Sequence, residues 1–258
     1  MTQLREAKTS SGKPHRVLVG IVAALCITAT AIVAEAKTTQ PKTTLVVLGD
    51  SLTWGANYFA KTQTRLSATG EFDAVIVDGW WSRRIGGIVS TTYSGANTYK
   101  KLVANGATPT AVIVGLGTND VFFLKRKREY ATLIRELMTA IGDVPVVWLT
   151  VNRVESPTMV ARSKLFNATL VRVLAEYPLA SVFDWATIAQ KDKRVSAFDK
   201  IHLTPFGYER RTTVYLELST ALAQRASDMT STTTTSTTTT TSTTSTTAPV
   251  AVTTTAAP

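Results

Sequence analysis

Ser51 is the residue whose chemistry could define this protein, because a histidine and an aspartate later in the chain could activate it. Ser51 lies on a Gly-Asp-Ser turn, and Asp199 precedes His202 by three positions. The chain has two histidines, and the other, His15, lies in a basic N-terminal leader. A serine hydroxyl becomes a nucleophile when a base takes its proton and a third group orients that base. These residues predict serine catalysis with His202 as the base.

The elements that must position these residues follow a simple alternation. Short apolar runs rich in β-branched residues are separated by helical stretches, which is typical of an α/β fold with a parallel sheet. In such sheets functional groups gather beyond the carboxyl ends of the strands, so a catalytic motif should begin where a strand ends. The predicted strands are 44–48, 74–77, 111–114, 146–149 and 181–183, with helices near 58–69, 92–103, 129–141, 158–176 and 206–226.

Three segments meet that test, and together they resemble blocks I, III and V of the SGNH (GDSL-type) hydrolase family. They read GDSL at 49–52, GLGTND at 115–120 and DKIHL at 199–203. One such motif is weak, whereas three in family order are specific. The resemblance covers about residues 44–225. It implies a flavodoxin-like three-layer α/β/α fold with a five-stranded parallel sheet, and a serine ester hydrolase that uses no metal or cofactor.

The same resemblance assigns the site residues. Ser51 is the nucleophile, His202 the base and Asp199 its orienting partner. The oxyanion hole takes the Ser51 amide, the Asn119 side chain and a backbone N–H from block II. Block II departs from the family pattern, because Ser82 stands where a glycine is expected and Gly79 offers a rival register. A backbone donor needs glycine only where φ is positive, so Ser82 is tolerable at this position.

Each residue also has a purely structural explanation. Ser51 could be a helix N-cap, and taken alone that is the better explanation. His202 could be a surface or capping histidine, and Asn119 could be a turn residue. Their joint coincidence with the family order and with predicted strand ends favours catalysis.

Aromatic residues lie close to the catalytic motifs. Trp54, Trp80, Trp81 and Phe206 could line a substrate cleft for an acyl chain or a sugar face. Ordinary packing at the strand ends is the alternative, and the sequence slightly favours it. Trp80 and Trp81 cannot both point inward from an extended segment, so at least one is expected at the cleft or in solvent.

The positive charge follows the motifs too. The chain has 28 Lys and Arg against 18 Asp and Glu, and +8 of the net +10 falls within residues 37–229. Basic runs at 83–84, 125–128 and 210–211 are predicted to surround Ser51. This indicates an anionic surface or substrate such as a cell-envelope polymer, with a solvated face as the alternative. No nucleic-acid motif accompanies the charge.

Composition divides the chain into a leader at 1–36, a globular domain at 37–229 and a Thr/Ser-rich tail at 230–258. Four basic residues precede an uncharged run at 17–34, and Ala34 and Ala36 fit a signal-peptidase site. A cleaved signal peptide is favoured over an uncleaved anchor, and both place the domain outside the cytoplasm. The tail is predicted to be disordered, either as a stalk or without a role. The single cysteine excludes a disulfide scaffold.

We therefore predict an exported serine ester hydrolase that cleaves acyl or acetyl esters, with cell-envelope carbohydrate as a candidate substrate. A lipase or acyl-ester hydrolase and a sugar O-acetyltransferase of the same fold remain open. A non-catalytic cell-wall-binding module would not need Ser51, Asn119, Asp199 and His202 together. No cofactor, metal or nucleic acid is expected. Membrane contact is expected only through an uncleaved leader, and a monomer is compatible with the sequence.

Overall fold

The centre of the fold is one parallel sheet. The computed structural model describes residues 43–238, with side chains to residue 228. The strands are β1 (Thr44–Gly49), β2 (Ala74–Gly79), β3 (Ala111–Gly115), β4 (Val146–Leu149) and β5 (Ala180–Phe183), paired in the order β2-β1-β3-β4-β5. The predicted three-layer α/β/α fold with a five-stranded parallel sheet is confirmed.

Helices connect the strands and cover both faces of the sheet. A 3-10 turn at Thr91–Tyr93 precedes the third helix. The helices are α1 (Ser51–Ala60), α2 (Thr62–Ala68), α3 (Gly95–Ala104), α4 (Thr118–Phe123), α5 (Lys127–Ile141), α6 (Pro157–Leu174), α7 (Trp185–Lys191) and α8 (Pro205–Thr238).

Alternation along the strands divides the core into two clusters. Val46 and Leu48 of β1 pack with residues of α3, α5 and α6 on one face. Leu45 and Val47 pack with residues of α1, α2 and α8 on the other. Successive side chains of a strand point to opposite faces, so a central strand covered on both sides must be apolar throughout. This is why β1 reads as a continuous apolar run.

The strand order places the functional motifs. The chain leaves β1 towards β2 on one side and later places β3 on the other side of β1. The crevice beyond the carboxyl ends of β1 and β3 is therefore the point where the strand order reverses, and ligands bind at such points in open α/β sheets. Ser51 follows β1 and Asn119 follows β3.

The helices differ from expectation more than the strands. Every observed strand overlaps its predicted range, but the helix predicted at 58–69 is two helices, broken at Lys61 where φ is +53°. The first of them begins at Ser51, directly after the sheet. The short helices α4 and α7 were not predicted, because six or seven residues hold too little periodicity to recognise.

The last helix extends past the predicted end of the globular domain. Helix α8 continues to Thr238, nine residues beyond the predicted domain end at residue 229. Extending an existing helix avoids the cost of nucleation, which allows even a Thr-rich segment to continue it. The described part of the chain contains no helix both long and apolar enough to span a bilayer. The predicted leader, including its apolar run at 17–34, and the remainder of the tail lie outside the described residues.

Candidate active site

The turn that carries Ser51 is held by the residue before it. Asp50 is the N-cap of α1, and its Oδ1 accepts a hydrogen bond from the N–H of Leu52 at 3.0 Å. The carboxyl group is fully buried, and burial raises the pKa of Asp50, although the Leu52 N–H and the charge of Arg211 act in the opposite direction. Ser51 is thus the first residue of a helix, where backbone N–H groups have no intrahelical partner and favour negative charge.

His202 and Asp199 reach this turn from a loop before α8. The Ser51 Oγ lies 3.1 Å from His202 Nε2, and His202 Nδ1 lies 2.6 Å from Asp199 Oδ2. A carboxylate on Nδ1 favours the tautomer in which Nδ1 carries the proton and Nε2 is free to accept one. The three residues therefore stand in the order that activates a serine hydroxyl.

Asp199 is held in place by the backbone around it. Its Oδ1 accepts hydrogen bonds from the N–H groups of Ile201 and His202, at 3.0 and 2.9 Å. Burial raises the pKa of Asp199, but the hydrogen bond from the His202 side chain and these two N–H groups outweigh it, so that the pKa is lowered overall. Asp199 is consequently ionised at neutral pH and can orient the imidazole.

Asn119 lies at the start of α4, and its side chain is oriented by block II. Its Nδ2 donates to the backbone oxygen of Arg83 at 2.9 Å. An amide nitrogen carries two protons, so one remains for a second acceptor such as a developing oxyanion. Arg83 directly follows Ser82 in the chain. The bond therefore connects Asn119 to the segment that carries Ser82, a second predicted oxyanion donor.

Ser82 adopts a backbone conformation that the sequence analysis did not expect. Its φ is +54°, in the left-handed region that favours glycine. The family's glycine is therefore explained by backbone geometry, and a serine here carries a conformational cost of about 1–2 kcal/mol. The rival, Gly79, ends β2, where a Cβ would overlap the backbone of Trp54. Gly79 thus serves close packing of β2 against α1.

Replacing Ser82 tests this conformation. We expect Ser82→Gly to raise the free energy of unfolding by up to about 1 kcal/mol, because relief of the left-handed strain exceeds the added entropy of the unfolded chain. Ser82→Val should lower it, since a β-branched residue resists positive φ. Ser90→Gly is the matched control, because Ser90 is exposed with φ −61°. Urea unfolding measures all three, and equal stability of the Ser82→Gly and Ser82→Val proteins would contradict the assignment.

Two of the arginines predicted to lie on a basic rim are buried instead. Arg83 and Arg211 are each 2% exposed, so the prediction that they face an anionic substrate is wrong. Arg83 is surrounded by backbone oxygens, and the Arg211 guanidinium lies over the Trp185 ring while its Nε donates to the Tyr215 hydroxyl. A buried guanidinium is stable where acceptors satisfy its donors. Residues 125–128 are exposed, as predicted.

Asp120 is a second buried carboxylate, next to Asn119. It accepts hydrogen bonds from the N–H of Ile85 at 3.0 Å and from Arg84 Nε at 3.3 Å. Burial nevertheless raises its pKa from 3.8 to about 6. Arg84 is therefore committed to an internal ion pair, although its guanidinium also lies over the Phe123 ring.

The raised pKa makes stability depend on pH. Between pH 4 and pH 6 the folded state binds the Asp120 proton more tightly than the unfolded state does, so the free energy of unfolding should fall as the pH rises, by up to about 3 kcal/mol. Asp120→Asn should remove this contribution. Urea unfolding at pH 4 and pH 7 measures it, with the exposed Asp143→Asn as the matched control. An identical change in stability with pH in wild type and Asp120→Asn would contradict it.

The predicted cleft aromatics fall into two places. Trp54, Trp80 and Trp81 are in ring contact: Trp54 meets Trp81 edge to face at 5.2 Å, and Trp80 stacks on Trp81 at 5.9 Å. Both tryptophans after β2 are exposed. Phe206 lies outside this contact chain, with the guanidinium of Arg194 4.3 Å from its ring centroid.

Sequence reasoning missed several residues of this region. Tyr58, Phe59 and Tyr208 extend the ring contacts of Trp54. If the first helix had been predicted to begin at Ser51, Tyr58 would have been expected beside Trp54, because residues four apart share a helix face. Within residues 43–238, no group of three or more His, Cys, Asp or Glu side chains is arranged to hold a metal ion.

Comparison with known proteins identifies the family of this chain. The fold and the sequence motifs are those of an ester-cleaving hydrolase. The chain belongs to the GDSL-like Lipase/Acylhydrolase family, whose model matches residues 47–210, and the resemblance found in the sequence is thereby confirmed. A comparison with curated protein sequences gives no significant match.

Solved structures share the fold at low sequence identity. A carbohydrate acetylesterase from Sinorhizobium meliloti is 17% identical with a TM-score of 0.57, over 70% of this chain and 100% of that one. An aryl esterase from M. smegmatis is 16% identical with a TM-score of 0.56, over 70% and 99%. A lipase/acylhydrolase from Enterococcus faecalis is 21% identical with a TM-score of 0.57, over 70% and 97%. At these identities the likeness concerns the fold.

Proposed function

We propose that this ester hydrolase is exported and removes acyl or acetyl groups from cell-envelope carbohydrate through an acyl-Ser51 intermediate. The observation that carries the catalytic part is the continuous hydrogen-bonded path from Ser51 Oγ through His202 to Asp199. A non-catalytic binding module would have no use for this path. The nucleophile and base are within the distance needed for direct proton transfer.

The proposed reaction has two stages. The Ser51 Oγ attacks the ester carbonyl carbon while His202 Nε2 takes its proton, and His202 then returns a proton to the departing alcohol. The same imidazole next takes a proton from water, which attacks the acyl carbonyl carbon. The bond to Ser51 Oγ then breaks, the imidazolium returns the proton to that oxygen, and the acid is released. The N–H groups of Ser51 and Ser82 and the Nδ2 of Asn119 hold the negative oxygen at each stage, and one such donor is typically worth about 2.7–4 kcal/mol.

Charge and predicted location favour a cell-envelope substrate. The predicted signal peptide would deliver the domain to the outside of the cell. Residues 125–128 are four exposed cations that follow α4, the helix of Asn119, and they suit an anionic polymer. One solved structure with the same fold is a carbohydrate acetylesterase. A lipase and a sugar O-acetyltransferase would use the same catalytic residues. These alternatives differ from the present proposal only in the substrates that the enzyme uses.

A substrate panel tests the proposal on the intact chain. Acetyl-xylan, O-acetylated peptidoglycan and p-nitrophenyl esters of short and long acyl chains are compared by kcat/KM, with a fluorophosphonate label mapped to its peptide. We expect release of acetate from at least one polymer, preference for short acyl groups, and label on Ser51. Preference for long chains would favour the lipase. Acyl transfer to added sugar would favour the transferase, and no turnover of any ester would refute the activity.

The export proposal has its own measurement. The protein is recovered from its host, the cells are fractionated, and the N-terminal residue of the recovered chain is sequenced. We expect the protein outside the cytoplasm with cleavage after Ala36. An intact N-terminus in the membrane fraction would indicate an anchor, and recovery from the cytoplasm would refute export.

A further inference from the structure

Six aromatic side chains are in continuous ring contact, and the first of them, Trp54, lies three residues after Ser51 on α1. Trp54 stacks on Tyr58 at 5.0 Å and meets Trp81 edge to face, while Phe59 contacts Tyr58 at 4.9 Å. Phe59 also stacks on a ring of α8 at 5.2 Å. We call this set the aromatic platform; its members are Trp54, Tyr58, Phe59, Trp80, Trp81 and Tyr208.

Four of the platform rings lie on the surface, and the Tyr208 ring lies buried beneath them. Tyr58, Phe59 and Trp81 are each more than half exposed, and Trp80 is 40% exposed. Soluble proteins seldom keep a contiguous exposed apolar patch without a use, because covering it with a partner is favourable. Core packing does not explain Tyr58, Phe59, Trp80 and Trp81, because these four side chains are exposed.

Two contacts anchor the platform to the fold. A Cβ on Gly55 would overlap the Tyr208 ring, so this glycine lets α1 lie directly against α8. The N–H of Trp80 donates to the oxygen of Gly49 at 3.2 Å, which ties the block II tryptophans to the residue that ends β1. A preformed surface loses little entropy when it binds a ligand.

The platform is also aligned with the site. Ser51, Trp54 and Tyr58 are three and four residues apart on α1, so they share one face of the helix. That face extends for about 10 Å from the nucleophile. A substrate whose ester lies at Ser51 would therefore have its leaving group, or the chain attached to it, over the rings.

We infer that the aromatic platform binds the sugar rings of a polymeric substrate, adjacent to the residue whose ester is cleaved at Ser51. This rests on the function proposed above. A pyranose presents C–H groups on its face and hydroxyls at its edge, which match open aromatic faces edged by indole N–H and phenol groups. A long acyl chain would remain half in water on such an open surface.

A cavity with both polar and apolar residues in its lining lies at the edge of the platform and supports a hydroxylated ligand. It has a volume of about 270 Å³ and lies beside Trp80. Thr91, Thr92, Lys101 and Asn105 contribute hydroxyl, ammonium and amide groups to its lining. Substituents of a sugar could form hydrogen bonds there, whereas hydrocarbon would leave these groups without partners.

Binding can be measured without turnover in a Ser51→Ala protein. In that background we expect Tyr58→Ala and Trp81→Ala each to weaken retention on acetyl-xylan or O-acetylated peptidoglycan about tenfold. Phe122→Ala is the matched control, because its ring is 54% exposed and contacts none of the platform rings. That control should bind like the parent. Melting temperatures verify that every variant is folded.

The outcomes separate this inference from the proposed activity. Unchanged retention of both platform variants would overturn it. The inference would also be overturned if the platform variants bound the polysaccharides normally but lost binding to vesicles that contain equal amounts of phosphatidylglycerol and phosphatidylcholine. Such a result would identify a lipid surface as the ligand. The wild-type chain could also bind the polysaccharides through the platform rings but cleave no ester. That result would refute the proposed activity and support the inference that the platform binds sugar rings. With Ser51 present, Trp81→Ala should lower the ratio of kcat/KM on polymer to that on p-nitrophenyl acetate.

Discussion

Ser51→Ala is expected to hydrolyse p-nitrophenyl acetate at least about 10³-fold more slowly than the wild type, with an unchanged fold. The substitution removes the Oγ atom, which lies 3.1 Å from His202 Nε2 and is the proposed nucleophile. The backbone N–H groups at the start of α1 remain, because Asp50 still caps the helix. Residual rate above that in water would come from the remaining oxyanion donors and from substrate binding.

The measurement is kcat on purified protein together with covalent labelling by a fluorophosphonate. Ser67→Ala is the matched control, because Ser67 is an exposed serine in the neighbouring helix α2 and should retain wild-type activity. Far-ultraviolet circular dichroism should be the same for both variants. Persistent labelling of the Ser51→Ala protein would assign the nucleophile elsewhere.

A double variant tests whether Ser51 and His202 act as one unit. His202→Ala should lower kcat to a similar degree, because an unassisted hydroxyl is a poor nucleophile. The double variant should be about as slow as either single variant, since each change already disables the same step. Multiplicative losses would mean that His202 contributes independently of the serine.

The sheet and the close approach of Ser51, His202 and Asp199 were predictable because their signals are local. A strand covered on both faces must be apolar along its whole length, so β1 and β3 stand out in the sequence. Asp199 and His202 lie three positions apart in one loop, which lets the carboxylate reach the imidazole without a distant element. The short separation of these residues in the sequence, together with the scarcity of histidine, allowed their positions to be predicted.

The misassigned residues depend on contacts between distant segments. Arg83 looked like part of a basic rim, because nothing in its neighbourhood shows that Gly49, far earlier in the chain, would supply an acceptor. The positive φ of Ser82 is likewise set by the turn that brings Arg83 inward. Tyr208 joins the platform only through the contact of α8 with α1. Such relations arise from the tertiary fold and leave no periodic pattern.

Arg83 connects the parts of the proposed oxyanion hole. Its guanidinium donates to the oxygen of Gly49 at 3.2 Å, to the oxygen of Asp78 at 2.8 Å and to the oxygen of Thr92 at 2.9 Å. It also pairs with Asp78 Oδ1 at 2.8 Å. Its own backbone oxygen accepts the hydrogen bond of Asn119. One buried side chain therefore holds the residue that ends β1, the end of β2 and the segment before α3.

We expect Arg83→Met to destabilise the fold strongly. It removes the donor to three backbone oxygens and the ion-pair partner of Asp78, which is 28% exposed, and the expected loss is about 3 kcal/mol of unfolding free energy. Arg83→Lys should recover only part of it, because a single ammonium cannot satisfy several carbonyl groups as a planar guanidinium does. Urea unfolding measures both variants. Arg128→Met is the matched control, since Arg128 is exposed and its loss should change stability by less than about 0.5 kcal/mol.

Catalytic constants distinguish an arginine that positions the proposed oxyanion hole from one that only stabilises the fold. At a temperature where Arg83→Lys remains folded, kcat on p-nitrophenyl acetate should fall more than KM rises, because the Gly49 turn and the Asn119 amide act on the transition state. A purely structural arginine would leave the kcat of the folded fraction at the wild-type value. An unchanged kcat would mean that the Arg83 contacts do not hold the proposed oxyanion hole in place. The same conclusion would follow if the free energy of unfolding of the Arg83→Met protein lay within about 1 kcal/mol of the wild-type value, because the expected loss is larger.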